Sequence, residues 1–334
     1  MKKHWYWLIG PWVLFLALAI GWVAYWNIVA NTAEQRLHAW MQAQHAQGAS
    51  VGVGRIVRHG FPVLLRLELQ DASYAPARGG WRITTPRADL HLNLLNTEQV
   101  ALQAKAPIAL TRADGAVTNI TADALIAELR TAHGALAAAG IEADNLALDD
   151  PAKEGVLRAH KLVINVRPDP RAAGDYQLAF DGQQLALPRP VRSFEAFGQD
   201  VAALRAAVVV TQGASLLQTA PDDPLGPWRE AGGRLRFEAL ELHWGPLETT
   251  GHGEGGLDAQ RRLEGTLTLP IEHPAPVLRA IAEGPNVDQS ARQALTLLAA
   301  AYTLNGDDIT LDVDANNGWL RLEGLTVRAL PAVY

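Results

Sequence analysis

The stretch Arg58 to Ala75, "RHGFPVLLRLELQDASYA", decides how the rest of the chain is read. Val63, Leu65, Leu67 and Leu69 alternate with Leu64, Arg66 and Glu68, so one face is aliphatic and the other carries charge. Side chains alternate faces along a strand, whereas a helix repeats about every 3.6 residues, so the segment reads as a half-buried strand. The same texture recurs in "VGVGRIV" (51–57) and in "WRITTPRADLHLNLL" (81–95), where Leu90, Leu92 and Leu94 keep phase. It returns in "QVALQAKAPIALTRA" (99–113), with Gly, Pro, Asn or Asp between the runs.

Upstream, Trp5 to Ala30 carries no formal charge, and about 20 such residues cross a bilayer core. Trp5, Tyr6 and Trp7 at one end and Trp22, Tyr25 and Trp26 at the other match membrane-interface aromatic belts. A cleaved signal would have a shorter apolar core and a small-x-small site, so an uncleaved signal anchor is expected. Lys2 and Lys3 precede it, which predicts a cytoplasmic N-terminus and a periplasmic C-terminal domain on the inner membrane. The expected order is a cytoplasmic tip (1–4), a transmembrane helix (5–30) and a helical stalk (31–48).

Beyond the stalk, the reading is mainly β with a few helices, an α+β chain. A large curved, mostly antiparallel sheet is expected, folded over like a taco or split into two lobes. Lobe 1 spans 49–190 and includes a helix over 121–139, capped by Thr121 and ended by Gly140. Lobe 2 spans 191–334 with helices near 275–283 and 288–302. The Pro- and charge-rich "PRPVRSFEAFGQD" (188–200) is the expected boundary, and the alternation slip between Phe237 and Leu240 predicts a bulge.

The motifs argue against chemistry more than for it. The chain has no cysteine, which removes disulfides, thiolate metal sites and cysteine nucleophiles. A net charge of −6 without a long Lys/Arg run speaks against nucleic acid as a partner. "GHGEGG" (251–256) matches a dinucleotide-loop pattern, but a strand comes after it, so the glycines are expected to serve a hairpin. "DVDANNGWLRLE" (312–323) sets Asp312, Asp314, Asn316 and Glu323 at calcium-loop spacing, but Asn317 stands where the sharp turn needs glycine. With no clustered histidines and only five serines, no catalytic residue, metal site or cofactor is expected.

Four phrases in fixed order, Gly60-Phe61-Pro62, "WREAGG" (228–233), "LHWGPL" (242–247) and "NGWLRLEGLTVRALP" (317–331), resemble an alphaproteobacterial family, domain-of-unknown-function family 2125 (DUF2125). That family is similar to AsmA-like envelope proteins. The resemblance implies an anchored, β-rich envelope protein, some relatives of which carry hydrophobic grooves implicated in lipid movement.

The expected function is thus non-catalytic binding of phospholipid or another acyl-bearing envelope component on an apolar sheet face. Candidates for that face are Val63, Leu65, Leu67, Leu69, Leu90, Leu92, Leu94, Phe237, Leu240, Leu242 and Trp244. The alternative is a scaffold for envelope proteins through an exposed sheet edge, and a distant third is a hydrolase.

Overall fold

The fold comes from a computed structural model that describes residues 5–78, 80–94, 96, 98–150, 155–189, 195–217, 223–285, 287, 289–305 and 308–334. The side chains of 5–11 and 305 lie outside that description, as do the expected cytoplasmic tip and the outer aromatics Trp5, Tyr6 and Trp7 as side chains. The chain is mainly antiparallel β, with four α-helices among the described residues, and it divides into two compact units, 1–115 and 116–334. The expected division at 190/191 is therefore corrected. The strands flanking it, β11 (Tyr176–Ala186) and β12 (Asp200–Val210), pair along their length, and a continuous ladder leaves no boundary there.

In the first unit, α1 (Trp5–Ala46) is one unbroken helix, so the segment read as a helical stalk continues directly from the apolar one. After it come β1 (Ser50–Gly52), β2 (Arg55–His59), β3 (Leu65–Ala75), β4 (Trp81–Leu92), β5 (Gln99–Lys105) and β6 (Ile108–Arg112). β1 and β2 pair in tandem with one edge of β3, β4 pairs with the other, and β5 and β6 pair in tandem with β4. Val63 is not part of β3 but lies in the turn before it.

A crease crosses this sheet at Gly54, Asp71, Pro86 and Pro107. Proline cannot donate to a ladder, and Asp71 adopts φ 51°, a left-handed conformation that Asp tolerates better than most residues. The hydroxyl of Thr85 reaches across the gap to the carbonyl of Lys105 at 2.8 Å. At Asp71 the alternation reverses. Leu65, Leu67 and Leu69 face α1 before it, and Ala72 does so after it.

The second unit is a meander. β7 (Val117–Thr121) and β8 (Ala124–Ala132) pair in tandem with β9 (Ala135–Asp150). Then come β10 (Gly155–Pro168), β11, β12, β13 (Leu235–Trp244), β14 (Leu247–Leu257), β15 (Leu263–Ile271), β16 (Ile309–Asn316), β17 (Trp319–Leu322) and β18 (Leu325–Ala329), each pairing with its predecessor. The short helix α2 (Gly226–Glu230) lies between β12 and β13. α3 (Pro274–Ala282) and α4 (Gln289–Asn305) lie between β15 and β16 and bury Val277, Leu278, Ile281 and Leu295 against the sheet.

The helix expected over 121–139 is corrected to a hairpin. Its Ala, Leu and Glu content favours a helix only weakly per residue, and β9 offers ladder partners to β8 and β10 alike. His133 and Gly134, at φ 53° and 80°, form the tight left-handed turn that joins antiparallel strands. Thr121 caps nothing and pairs with Ala147 at the end of β7. The slip at Phe237–Leu240 is a register shift that leaves Glu238 unpaired in the β12–β13 ladder, where it meets Arg171 at 2.9 Å.

Candidate functional site

The residues expected to form an apolar face divide between the two units and meet different fates. In the first unit, Leu65, Leu67 and Leu69 are 1%, 0% and 7% exposed and lie with Leu94 beneath Trp26, Ala30 and Ala33 of α1. Leu90 and Leu92 are half-buried against the same cluster. These strands carry the aliphatic face that their alternation promises, but α1 closes it. Val63 alone stands out, 71% exposed in its turn.

The opposite face of β3 and β4 holds a charged cluster. Glu68 and Asp89 are direct cross-strand partners, both buried, and Arg87 reaches them at 3.0 and 3.1 Å. The Gln70 amide, and after it Arg87, holds the Glu68 carboxyl below its ordinary range, so it is a fixed anion and not a proton donor near neutrality. His59 lies 3.3 Å from Glu68, and the Arg66 Nε is shielded from water without a hydrogen bond. Single-residue alternation marks Glu68 as off the apolar face. Only the β3–β4 register brings Asp89 opposite it.

In the second unit the face is far longer than the four candidates. Leu242 pairs on one side with Leu204, Gly182, Leu162, Ala143 and Leu125 in turn, and on the other with Thr249, Ile271 and Ile309. The neighbouring row joins Leu240 to Ala206, Phe180, Ile164, Ile141 and Ala127. A third joins Phe237 to Val208, Leu178, Val166, Ala139 and Leu129. Directly opposed residues share a face. No ionisable side chain enters any of these rows.

The charges go to the other face. Lys161 meets Glu142 at 2.8 Å, and Arg205 meets Asp181 and Glu241 at 3.3 and 2.8 Å. α3 and α4 cover only the C-terminal part of the apolar face, where Leu242, Trp244, Leu269 and Val313 pack against them. A cavity of about 390 Å³ remains there, lined by Leu278, Leu295, Leu298, Tyr302, Leu311 and Leu322 among others. Towards β8 and β9 the second and third rows open to solvent, with Ile141 and Leu129 44% and 45% exposed, whereas Ala143 in the first row is fully buried with Leu125 and Leu162 packed against it. The alternation around Phe237–Trp244 points to one end of this face, but Ile141, Ile164 and Phe180 are not among the sequence candidates. Their own alternation is present, yet that of β8 and β9 is masked by helix-forming composition.

The motif residues are committed to structure. Glu323 accepts from the Asp312 backbone N–H at 2.8 Å, Asp312 from Thr268 at 2.9 Å, and Asp314 lies 3.7 Å from Arg321. Asn317 and Gly318 make the tight turn between β16 and β17. Among the described residues no group of three or more His, Asp or Glu side chains is gathered as a cation site. The "GHGEGG" glycines lie inside β14 and not at a hairpin turn. A Cβ on Gly253 would stand 2.2 Å from the Thr266 carbonyl oxygen, so glycine lets β14 and β15 approach closely.

A family model described as "Uncharacterized protein conserved in bacteria (DUF2125)" matches residues 26–331. The chain belongs to the DUF2125 family. No curated protein and no solved structure matches it. The phrases of this DUF2125 chain have local physical reasons. Trp228 is buried, donates its indole N–H to the Thr211 carbonyl at 2.8 Å, and lies where a Cβ on Gly233 would come within 2.1 Å of it. Trp244 donates to the Gly198 carbonyl at 3.1 Å and packs edge-on against Phe197, while Gly245, at φ 55°, starts the turn into β14. The DUF2125 match begins at Trp26, where α1 first becomes buried among the described side chains.

Proposed function

We propose that this chain is a single-pass, inner-membrane-anchored periplasmic protein that holds a phospholipid acyl chain on the uncharged face of its second unit, without catalysing a reaction. The observation that carries this reading is the run of three uncharged rows from β8 through β13, covered by helices only beyond β12. Five strands at about 4.8 Å spacing give a row of about 20 Å. One leaflet of a bilayer core is about 15 Å deep, so an extended acyl chain fits such a row. The α1 helix, long and apolar enough to cross a membrane, supplies proximity to lipid.

The test is photocrosslinking of the full-length chain with a diazirine-bearing fatty acid in vesicles, with adducts mapped by mass spectrometry. Adducts are expected near Ile141, Ile164 and Phe180. They should be lost in Ile141→Asp and Phe180→Asp and kept in Leu297→Asp, which alters an exposed α4 residue. Adducts spread evenly over the surface, or unchanged in the first two variants, would refute the reading.

A further inference from the structure

The membrane-side end of the first unit is itself apolar. α1 and β3 run side by side. The indole N–H groups of Trp22 and Trp26 donate to the carbonyls of Pro62 and Leu64 at 2.7 and 2.9 Å, just before β3 begins. At the other end, the ring of Trp40 stacks on Tyr74 with centroids 6.3 Å apart. The turn Gly60–Leu64 is therefore level with Trp22, where the helix leaves its free apolar stretch and docks on the sheet.

Among the described residues of α1, 5–21 precede that docking point. At about 1.5 Å per residue they span about 25 Å, most of the roughly 30 Å of a bilayer core. The turn beside them is apolar as well. Phe61, Val63 and Leu64 are 53%, 71% and 58% exposed, three large apolar residues around Pro62. Their backbone is fixed: the N–H groups of Val63 and Leu64 donate to the Gly60 carbonyl at 3.2 and 2.9 Å, and Gly60 has φ 97°. An open cavity of about 520 Å³ adjoins the turn, lined by Trp22, Val63, Leu64, Leu92 and Leu94, with His91 at its polar side. A rigid apolar turn left in water would lose about 25 cal/mol for each Å² exposed.

We propose that the turn Phe61–Leu64 inserts into the bilayer interface alongside α1, so that the first unit rests on the membrane and is not held above it on a stalk. This rests on α1 being a membrane anchor, and the test separates the two claims. The chain has no cysteine, so single-cysteine variants of the full-length protein carry one fluorophore each. Leu14→Cys, Val63→Cys and Ala77→Cys, all at exposed positions, are labelled with an environment-sensitive dye in phosphatidylcholine/phosphatidylglycerol vesicles. Lipids bearing nitroxides at shallow or deep positions then quench it.

The expected result is deep quenching at position 14, shallow quenching at 63 and aqueous quenching alone at 77. Quenching at 14 with position 63 as water-accessible as 77 overturns the insertion and leaves the anchor intact. A label at 63 shielded from both water and lipid quenchers also overturns it, and identifies a protein partner on the turn. No lipid quenching at 14 overturns the anchor, and the insertion falls with it.

Discussion

Trp26 sits beneath Leu64: its indole N–H donates to the Leu64 carbonyl at 2.9 Å, and its ring meets Phe61 edge-on with centroids 5.6 Å apart. One residue thus belongs both to the apolar N-terminal segment and to the core of the first sheet. A chain cut at residue 31 as a soluble domain would remove Trp26 and Ala30 from that core.

Trp26→Ala is accordingly expected to destabilise the first unit by about 3–5 kcal/mol, as for other buried aromatic truncations. Trp26→Phe keeps most of the ring and should cost less, about 1 kcal/mol for the unpaired carbonyl. Urea unfolding in detergent micelles, monitored by near-UV circular dichroism, measures both. Equal stability of Trp26→Ala and the parent would remove Trp26 from the core.

A second expectation concerns acid. Asp169 is 5% exposed and accepts hydrogen bonds from the Arg171 side chain at 3.0–3.3 Å and from its backbone N–H at 2.9 Å, which hold its carboxyl below the ordinary 3.8. A folded-state value below the unfolded one stabilises the fold above about pH 4 and is lost as pH falls through the folded value. Asp169→Asn should lower the melting temperature at pH 7 and lower it less at pH 3. An identical difference at the two pH values would mean that the ionised form is not what the fold uses.

The turn between β8 and β9 isolates a backbone effect. Gly134 has φ 80°, and a Cβ there would touch nothing within 4 Å. Gly134→Ala should therefore cost about 1 kcal/mol through conformation alone. Thermal unfolding checks it, and an unchanged midpoint would contradict the hairpin at the place where the composition suggests a helix.

Gly233 isolates a contact. A Cβ there meets the buried Trp228 indole at 2.1 Å, so Gly233→Ala should cost about 1–3 kcal/mol, as overpacking does. Combined with Trp228→Phe the two costs should fall short of their sum, because the clash is shared. Strict additivity in a double-mutant cycle would show that the contact does not carry the cost.

Much of this architecture is legible in period two. The alternation of Leu65, Leu67 and Leu69 names their common face, and the Phe237 slip names its bulge. What alternation does not carry is the identity of the cover. Leu65 lies under a helix and Ile164 in a row that neither α3 nor α4 covers, yet both are aliphatic residues in the same pattern, and only tertiary packing separates them. The β8–β9 error has a different origin. "ELRTAHGALAAAG" is rich in helix formers, and its small side chains hide the alternation that larger ones would display. The His133-Gly134 dipeptide is the available turn signal. Asp71 and Asn145, left-handed within β3 and β9, reverse the facing of the residues after them, and each reads in sequence as an ordinary polar residue.

From β9 to β18 every strand pairs with the one made just before it. A chain delivered N-terminus first can therefore add each strand to a ladder already in place. The helices that shield the apolar face begin only at Pro274, after β1–β15 have been laid down. During synthesis that face grows to most of its width before its own cover exists.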